Sequence, residues 1–585
     1  MKFINLEVSN YRNFEHIVLD LSNKNVIFGL NDIGKSNLLS VFRLLFDRKF
    51  RSNNCIETDY HNKNTEKDIE ILLQIELEKD TPTVDDEIVI SKIGQCGILS
   101  SENNNLYIKL IAKFDLSLQA GEPKMFWGED KNDLQEMQTI FNGYQIDKVF
   151  SAIYIKDITE NNSLFKKNIG KLINNELNKK DDINEIKNQM LDINDKIGKL
   201  PSVKELQNNL SKNYNAIKDE KIEICIRSEV GINNLYSNLN TYIKKEEQDN
   251  FYPTSGDGRK KLLEYALYTS IAENEQENGN HKIYIYLIEE PENHLHESMQ
   301  LYLSDQIFNK MKFDYFFLTT HSPSMLYEMD DNTNLIRLYS KDKVECNTFL
   351  YSVPFEYKEL KRELNRNLAN ALFYEKVLLV EGPSEELLFK KVIGNINVQY
   401  QIEGKYILQT SGIKFKPYIK VLEHLGIQYV LRTDNDLKID SNYKNNDEKR
   451  YILLGINRCR NIITTHEKKL KILDYKVDHK LNDSEKISVK MELYKKCKKI
   501  INLLNNKNIY LSKVDLENDL DDVIHSEMCT YLGTDNPVEY LQEKKMINMI
   551  ELIKKLTKED CERIYNSEQF YCIKDWNESN ETSNV

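Results

Sequence analysis

No C-x-x-C pair occurs among the nine cysteines of this 585-residue chain, so it lacks the clustered thiols of a structural zinc site or a disulfide framework. No apolar run approaches the ~18 residues needed to cross a bilayer, and the longest, such as Ile283–Ile288, read as buried strands. The start, Met1-Lys2-Phe3-Ile4-Asn5-Leu6-Glu7, has no uninterrupted apolar stretch of the kind a secretory signal carries. A basic surplus is missing too: 80 Lys and Arg against 93 Asp and Glu leave a net charge of −13, which argues against a chain coated in basic surface. Nucleic acid stays open as a ligand, because a local basic groove or bound divalent metals act inside an acidic protein. Glycine (20) and proline (10) are scarce, which reads as base-composition drift and excludes nothing. These absences describe a cytoplasmic protein with reduced thiols and no membrane partner. What is present, 40% hydrophobic and 30% charged residues, suffices for real cores, and ~150 residues per domain gives three or four units.

The pattern changes several times along the chain. Residues 1–157 alternate short β-rich runs with turns, among them Val26–Phe28, Ile69–Leu77, Leu106–Phe114 and Ala152–Ile155. Residues 158–250 turn polar and helical, with Leu191, Ile193, Ile197 and Leu200 on one helix face. Strands resume over 251–350, at Lys282–Ile288, Tyr315–Thr319 and Leu335–Leu338. Residues 351–370 read as a linker, 371–530 as a second α/β unit and 531–585 as a helical C-terminal region.

Gly29-Leu30-Asn31-Asp32-Ile33-Gly34-Lys35-Ser36 matches G-x-x-x-x-G-K-[ST], with the apolar strand Val26–Phe28 before it and a helical run, Asn37–Phe46, after it. In that context the backbone N–H groups wrap phosphates at a helix N-terminus, Lys35 neutralises the β- and γ-phosphates, and Ser36 holds Mg²⁺. The nucleotide set is Gly29, Asn31, Asp32, Gly34, Lys35, Ser36 and Asn37, completed by Glu289 and Glu290 at the end of Ile283–Ile288 and by His321 after Tyr315–Thr319. One carboxylate would face Mg²⁺ and the other the attacking water, while His321 would sense the γ-phosphate. Glu289 stands where P-loop ATPases usually carry Asp. Ser255-Gly256-Asp257-Gly258-Arg259 resembles the signature loop of ABC-type ATPases, in which Ser255, Gly256, Gly258 and Arg259 would cap ATP on a partner subunit. Tyr11-Arg12-Asn13-Phe14 resembles the N-terminal turn of RecF- and SMC-like ATPases. The polar insertion is far shorter than the arms of chromosome-organising ATPases and suits a dimerisation hairpin, with a solvated surface helix pair as the alternative.

A second acidic array follows. Strand Val377–Val380 ends in Glu381-Gly382-Pro383-Ser384-Glu385, strand Ile427–Leu431 runs into Asp434-Asn435-Asp436, and strand Ile509–Leu511 leads to Asp515-Leu516-Glu517-Asn518-Asp519. Carboxylates at the ends of parallel strands converge in one crevice, and crowding them is costly unless divalent cations neutralise the charge. Hard oxygen ligands point to Mg²⁺ or Mn²⁺, and two such ions ~4 Å apart would activate water and stabilise the leaving oxygen of a phosphodiester. Lys495, Lys496, Lys498 and Lys499 invite a DNA backbone contact, though a solvated helix face is the plainer reading.

A P-loop ATPase with an ABC-like loop, followed by Glu-Gly-Pro-x-Glu and D-x-D at strand ends, resembles the OLD (overcoming lysogenization defect) nucleases, in their Gabija anti-phage branch. The resemblance rests on Phe28–Lys35, Phe251–Arg259, Tyr286–Glu292, Glu381–Glu385, Thr433–Lys438 and Ser512–Leu520 and covers nearly the whole chain. It implies an α/β protein: an ABC/SMC-like ATPase domain with a helical dimerisation insertion, then a Toprim domain and a helical tail. It implies a nucleotide-regulated, divalent-metal-dependent endonuclease acting on double-stranded phage DNA. ATP with Mg²⁺ would sit at the P-loop, and Mg²⁺ or Mn²⁺, two ions, at the Toprim site. The metal set becomes Glu381, Glu385, Asp434, Asp436, Asp515 and Glu517, and the catalytic set Glu381, Asp434, Asp436, Asp515 and a late lysine. Tyr540–Lys545 offers Lys544 and Lys545, of which Lys545 is chosen for its place before an apolar helix face. Such proteins self-associate as dimers or tetramers and work with a helicase-like partner subunit, and bound ATP holds cutting in check. The alternative reading is an SMC/RecF-like ATP-dependent DNA-binding or sensor protein whose Toprim domain recruits partners without cutting. A topoisomerase or primase would need modules that are not visible. Whether ATP is hydrolysed or only sensed stays open.

Overall fold

A computed structural model describes residues 1–156 and 282–578 apart from short internal stretches, together with parts of 188–208 and 242–266. They fall into two compact units, one comprising 1–154, 285–290 and 300–585, the other 155–284 and 291–299.

The larger unit opens with a seven-stranded antiparallel sheet in the order Phe14–Asp20, Lys2–Tyr11, Ile69–Glu76, Asn105–Asp115, Ala120–Asp130 and Cys55–Ile56, with Asp133–Glu136 also on Ala120–Asp130. Its strands alternate, as a one-sided sheet requires: Ile69, Ile71, Leu73 and Ile75 are buried while Glu70 and Glu76 face out. Phe3 packs from this sheet onto Phe46 of helix Lys35–Phe46 and onto Tyr315 and Phe317 next to it.

The second sheet runs Phe150–Ile155, Ile283–Glu289, Phe316–Thr319, Lys24–Gly29, Thr333–Tyr339 and Glu345–Tyr351. From Ile283–Glu289 to Thr333–Tyr339 neighbouring strands are parallel, and Glu345–Tyr351 closes the edge antiparallel. These strands read as continuous apolar runs because both faces are covered, and Val26, Ile27, Phe28, Phe316, Phe317, Leu318, Leu335 and Ile336 are fully buried. The parallel arrangement sends Gly29, Glu289 and Thr319 to one end of the sheet.

A third, wholly parallel sheet has the order Lys405–Gln409, Lys376–Val380, Gln428–Thr433, Ile509–Leu511. Helix Pro383–Ile396 follows its second strand, with Pro383 in the first turn where no intrahelical N–H is lost. One apolar cluster joins Leu378, Val380, Leu388 and Phe389 to Leu541, Met549, Leu552, Ile564, Ile573 and Trp576, so the C-terminal helices complete the core of this sheet. A small antiparallel sheet, Leu437–Ile439, Lys449–Leu453 and Asp474–Val477, flanks it.

The segment 351–370, expected as a linker, holds the turn Phe355–Leu360 and the helix Lys361–Leu372, which buries Leu364, Leu368, Ala371 and Leu372 at helical spacing. Of the expected helix face in the insertion, Leu191, Ile193 and Ile197 lie outside the described residues. The smaller unit contains the hairpin Tyr242–Lys244 with Phe251–Pro253 and the buried side chains of Lys261 and Tyr265. Among the described residues no helix is long and apolar enough to cross a membrane.

Candidate nucleotide and nuclease sites

The P-loop lies between Lys24–Gly29 and Lys35–Phe46, with two glycines in conformations that other residues avoid. Gly34 has φ +102°, and a Cβ there would stand 2.0 Å from Asn13 Nδ2; Gly29 has φ +155°, and its Cβ would stand 2.4 Å from the Leu338 carbonyl oxygen. The turn after the first strand braces the loop: Asn13 Nδ2 donates to the Ile33 carbonyl at 2.6 Å, Asn37 Nδ2 to Asn13 Oδ1 at 2.8 Å, and Arg12 to Asn37 Oδ1 at 3.0 Å. Lys35, 5% exposed, donates to the carbonyls of Gly29 (3.2 Å) and Leu30 (2.8 Å). Ser36 and Asn37 open the helix beside it, and Asp32 takes φ 62°. The helix N-terminus and a recessed ammonium fit a polyanion such as a nucleoside triphosphate.

Glu289 ends its strand and accepts a hydrogen bond from the Tyr154 hydroxyl. Glu290 follows with φ 40°, a left-handed conformation that costs about 1–3 kcal/mol and is found where function fixes the backbone. Its Oε1 pairs with His321 Nε2 at 3.1 Å. Burial, then the Lys35 charge, lowers the His321 pKa against the pull of Glu290. The structure therefore gathers Lys35, Glu290 and His321 at the carboxyl end of the sheet. Asn31, Ser255, Gly256 and Arg259 lie outside the described residues; Gly258 is described in the smaller unit, where its Cβ would stand 3.1 Å from the His294 carbonyl oxygen.

The acidic array assembles at the carboxyl end of the third sheet. Glu381 follows Lys376–Val380, Asp434 and Asp436 follow Gln428–Thr433, and Asp515 follows Ile509–Leu511 and caps the helix Leu516–Leu532 by accepting from Asn518 N. Glu381 Oε2 accepts from Thr433 Oγ1 at 3.0 Å. Asp515 Oδ2 accepts from Gln542 Nε2 at 3.2 Å. Glu385 bonds to the protein itself. Its Oε2 accepts from the backbone N–H groups of Glu381 (2.6 Å) and Gly382 (3.2 Å), and its Oε1 ion-pairs with Arg432. Lys545, first residue of helix Lys545–Lys555, is close enough for its charge to act on Asp436 and Glu517.

Electrostatically the crevice is overcrowded. Burial, then the charge of Glu385, pushes the Asp434 carboxyl well above the ordinary range against the pull of Arg432, although 25% of its side chain still meets solvent. Burial, then Glu381, raises Asp436, and burial, then Asp515, raises Glu517. The expectation that divalent cations alone offset this charge needs correction, because the fold supplies arginines. Arg432, 1% exposed, pairs with Glu385 and, at 2.8 Å, with Asp519, while Arg458 pairs with Glu381 at 3.1 Å and Asp436 at 3.4 Å. Carboxylates still outnumber cations, and surplus hard oxygen donors suit a divalent ion, which Glu381, Asp434, Asp436 and Asp515 would have to hold. Among the described residues no three His, Cys, Asp or Glu side chains already stand as a ready coordination cage.

Sequence reasoning missed Arg432 and Arg458, and it quoted Thr433 and Asp519 within its motifs without giving either a role of its own. Arg432 carried a signal, a charge inside the apolar strand that leads to the D-x-D pair, since such a residue must find buried partners. Arg458 carried none. The four lysines at 495, 496, 498 and 499 are all exposed.

Comparison with known proteins places these geometries. Residues 372–436 match the domain described as "Overcoming lysogenization defect protein-like, TOPRIM domain", and residues 1–255 match the "AAA ATPase domain". Over 581 residues the chain is 39% identical to Endonuclease GajA of Bacillus cereus (strain VD045), covering 98% of this chain and 99% of that protein. The chain belongs to the GajA endonuclease family. A second GajA, from Bacillus cereus (strain HuB5-5), is 22% identical over 427 residues, 66% of this chain and 59% of that protein. Among solved structures, the SMC head domain from Thermotoga maritima aligns with TM-score 0.30 and 12% identity over 60% of this chain and 100% of that chain. GajA membership bears out the OLD-type resemblance and the order of an ATPase domain before a Toprim domain, and the two domain types imply divalent metal and nucleotide use. The Toprim match includes Glu381, Glu385, Asp434 and Asp436 and stops short of Asp515 and Glu517.

Proposed function

We propose that this chain is a nucleotide-regulated, divalent-metal-dependent DNA endonuclease of bacterial antiviral defence, nicking or cutting phage DNA. The observation that carries the reading is the convergence of Glu381, Asp434, Asp436 and Asp515 at the ends of three adjacent parallel strands, with Lys545 beside them. Glu381, Asp434, Asp436 and Asp515 hold Mg²⁺ or Mn²⁺, two ions in the fullest form, with Glu517 adjoining. When bound, the metal supplies a Lewis acid for the phosphate oxygens and a water of lowered pKa. Glu385 orients Glu381 through the backbone it caps. Lys545 places a positive charge where negative charge builds on the reacting phosphate.

ATP with Mg²⁺ occupies the P-loop, on Gly34, Lys35 and Ser36, and restrains cutting. A physical route supports that coupling. Strand Thr333–Tyr339 pairs with the P-loop strand, Leu338 opposite Gly29, and Arg337 of the same strand donates to the carbonyls of Leu425 (3.1 Å) and Gly426 (2.9 Å). Those carbonyls end helix Lys416–His424, immediately before the strand that leads to Asp434. Self-association as a dimer or tetramer through ATPase and Toprim contacts, and a helicase-like partner subunit, belong to the same reading. Incubating the purified chain with supercoiled plasmid, Mg²⁺ or Mn²⁺, and graded ATP tests it: metal-dependent cleavage that ATP suppresses supports the reading, and intact plasmid under every condition overturns it.

A further inference from the structure

Arg458 enters the acidic crevice from outside the three strand ends. It lies on helix Leu454–Ile463, and its guanidinium donates to Glu381 Oε2 at 3.1 Å, Thr433 Oγ1 at 3.0 Å and Asp436 Oδ2 at 3.4 Å. The helix is seated tightly: the N–H groups of Leu454 (2.8 Å) and Gly455 (3.2 Å) donate to the Asp436 carbonyl. A Cβ on Gly455 would stand 2.4 Å from the Asp434 carbonyl oxygen, so only glycine lets the helix approach so closely. The backbone therefore delivers this side chain to the D-x-D turn.

The two arginines of the crevice differ in what they can do. Arg432 is 1% exposed and locked between Glu385 and Asp519, whose side chains are 5% and 2% exposed; removing it would leave buried charge unpaired. Arg458 is 23% exposed and its partners Glu381 and Asp436 are 31% and 41% exposed, so water can replace any bond it gives up. It bridges two carboxylates from different strand ends that the metal reading requires, and a guanidinium and a divalent cation on the same oxygens repel each other.

We propose that Arg458 is a built-in counter-cation that holds Glu381 and Asp436 together in the metal-free protein and competes with the divalent ion for them. It is a positioning residue: it keeps like-charged ligands from splaying apart and sets how much metal is needed to displace it. This rests on the metal reading of the Toprim crevice.

Calorimetric titration of Mn²⁺ into the full chain, without DNA or nucleotide, tests the inference on wild type, Arg458→Gln, Arg458→Lys and Glu381→Ala. Arg458→Gln removes the competing charge and is expected to bind Mn²⁺ about tenfold more tightly. Its metal-free melting temperature falls and recovers as Mn²⁺ is added. Arg458→Lys keeps the charge and the fold but cannot fork across two carboxylates, so its affinity rises less, about threefold. Unchanged or weaker Mn²⁺ binding in either Arg458 variant, while wild-type binding is abolished by Glu381→Ala, overturns the inference and leaves the metal site standing. Absence of any Glu381-dependent Mn²⁺ binding in wild type overturns the metal reading itself, and the inference with it.

Discussion

Two sheets in one chain, one parallel at its centre and one parallel throughout, end in polar crevices of opposite character. At the ATPase sheet the backbone dominates: two glycines in restricted conformations, a helix N-terminus and Lys35, with Glu290 and His321 paired opposite. At the Toprim sheet side chains dominate, with Glu381, Asp434, Asp436, Asp515 and Glu517 crowded so that burial and mutual repulsion raise Asp434, Asp436 and Glu517. The first is built to receive an anion and the second a cation. The same architectural rule, ligands at the carboxyl ends of parallel strands, thus yields opposite sites according to whether N–H groups or carboxylates line the strand ends.

The comparison breaks most visibly at Glu381. Glu381→Ala should lower DNA cleavage by about 10³-fold while leaving ATP binding intact, and Asp434→Ala and Asp515→Ala should match it without adding to it, because the carboxylates act as a unit. Plasmid nicking together with a nucleotide-binding assay would check both halves. Lys545→Ala should cost about 10²-fold in single-turnover cleavage, whereas Lys544→Ala stays within about twofold, since the charge of Lys545 acts on Asp436 and Glu517. On the anion side, millimolar ATP should suppress wild-type cutting by about tenfold, and Lys35→Ala should abolish that suppression without removing cutting, at matched free metal. The smallest effect concerns the connection. Arg337→Ala should leave cleavage without ATP near wild type and reduce the suppression by ATP about threefold, as measured in an ATP titration of the cleavage rate.

The legibility of the two sites in the sequence follows from their chemistry. The P-loop, Glu290 and His321 were readable because a backbone cradle demands glycine at fixed spacing and an apolar strand before it. Glu381, Asp434, Asp436 and Asp515 were readable because each follows a short apolar strand within a few residues. Strand Ala120–Asp130 is obscured because Gly121, Glu122, Pro123 and Lys124 mask its alternation, and edge strand Lys405–Gln409 is a short run of five residues. Helix Lys361–Leu372 is hidden by its many charged residues, although its Leu positions recur at helical spacing. Arg458 gives no sign in the sequence because its partners come from two other segments, Glu381 and Thr433–Asp436, that only the folded chain brings to it.

The most direct measurement compares Lys35→Ala with Glu381→Ala on supercoiled plasmid in Mg²⁺ without ATP. If the anion site regulates and the cation site cuts, Lys35→Ala cleaves at the wild-type rate and Glu381→Ala does not cleave. Equal loss of cleavage in the two variants, or full cleavage by Glu381→Ala, would contradict this division of labour.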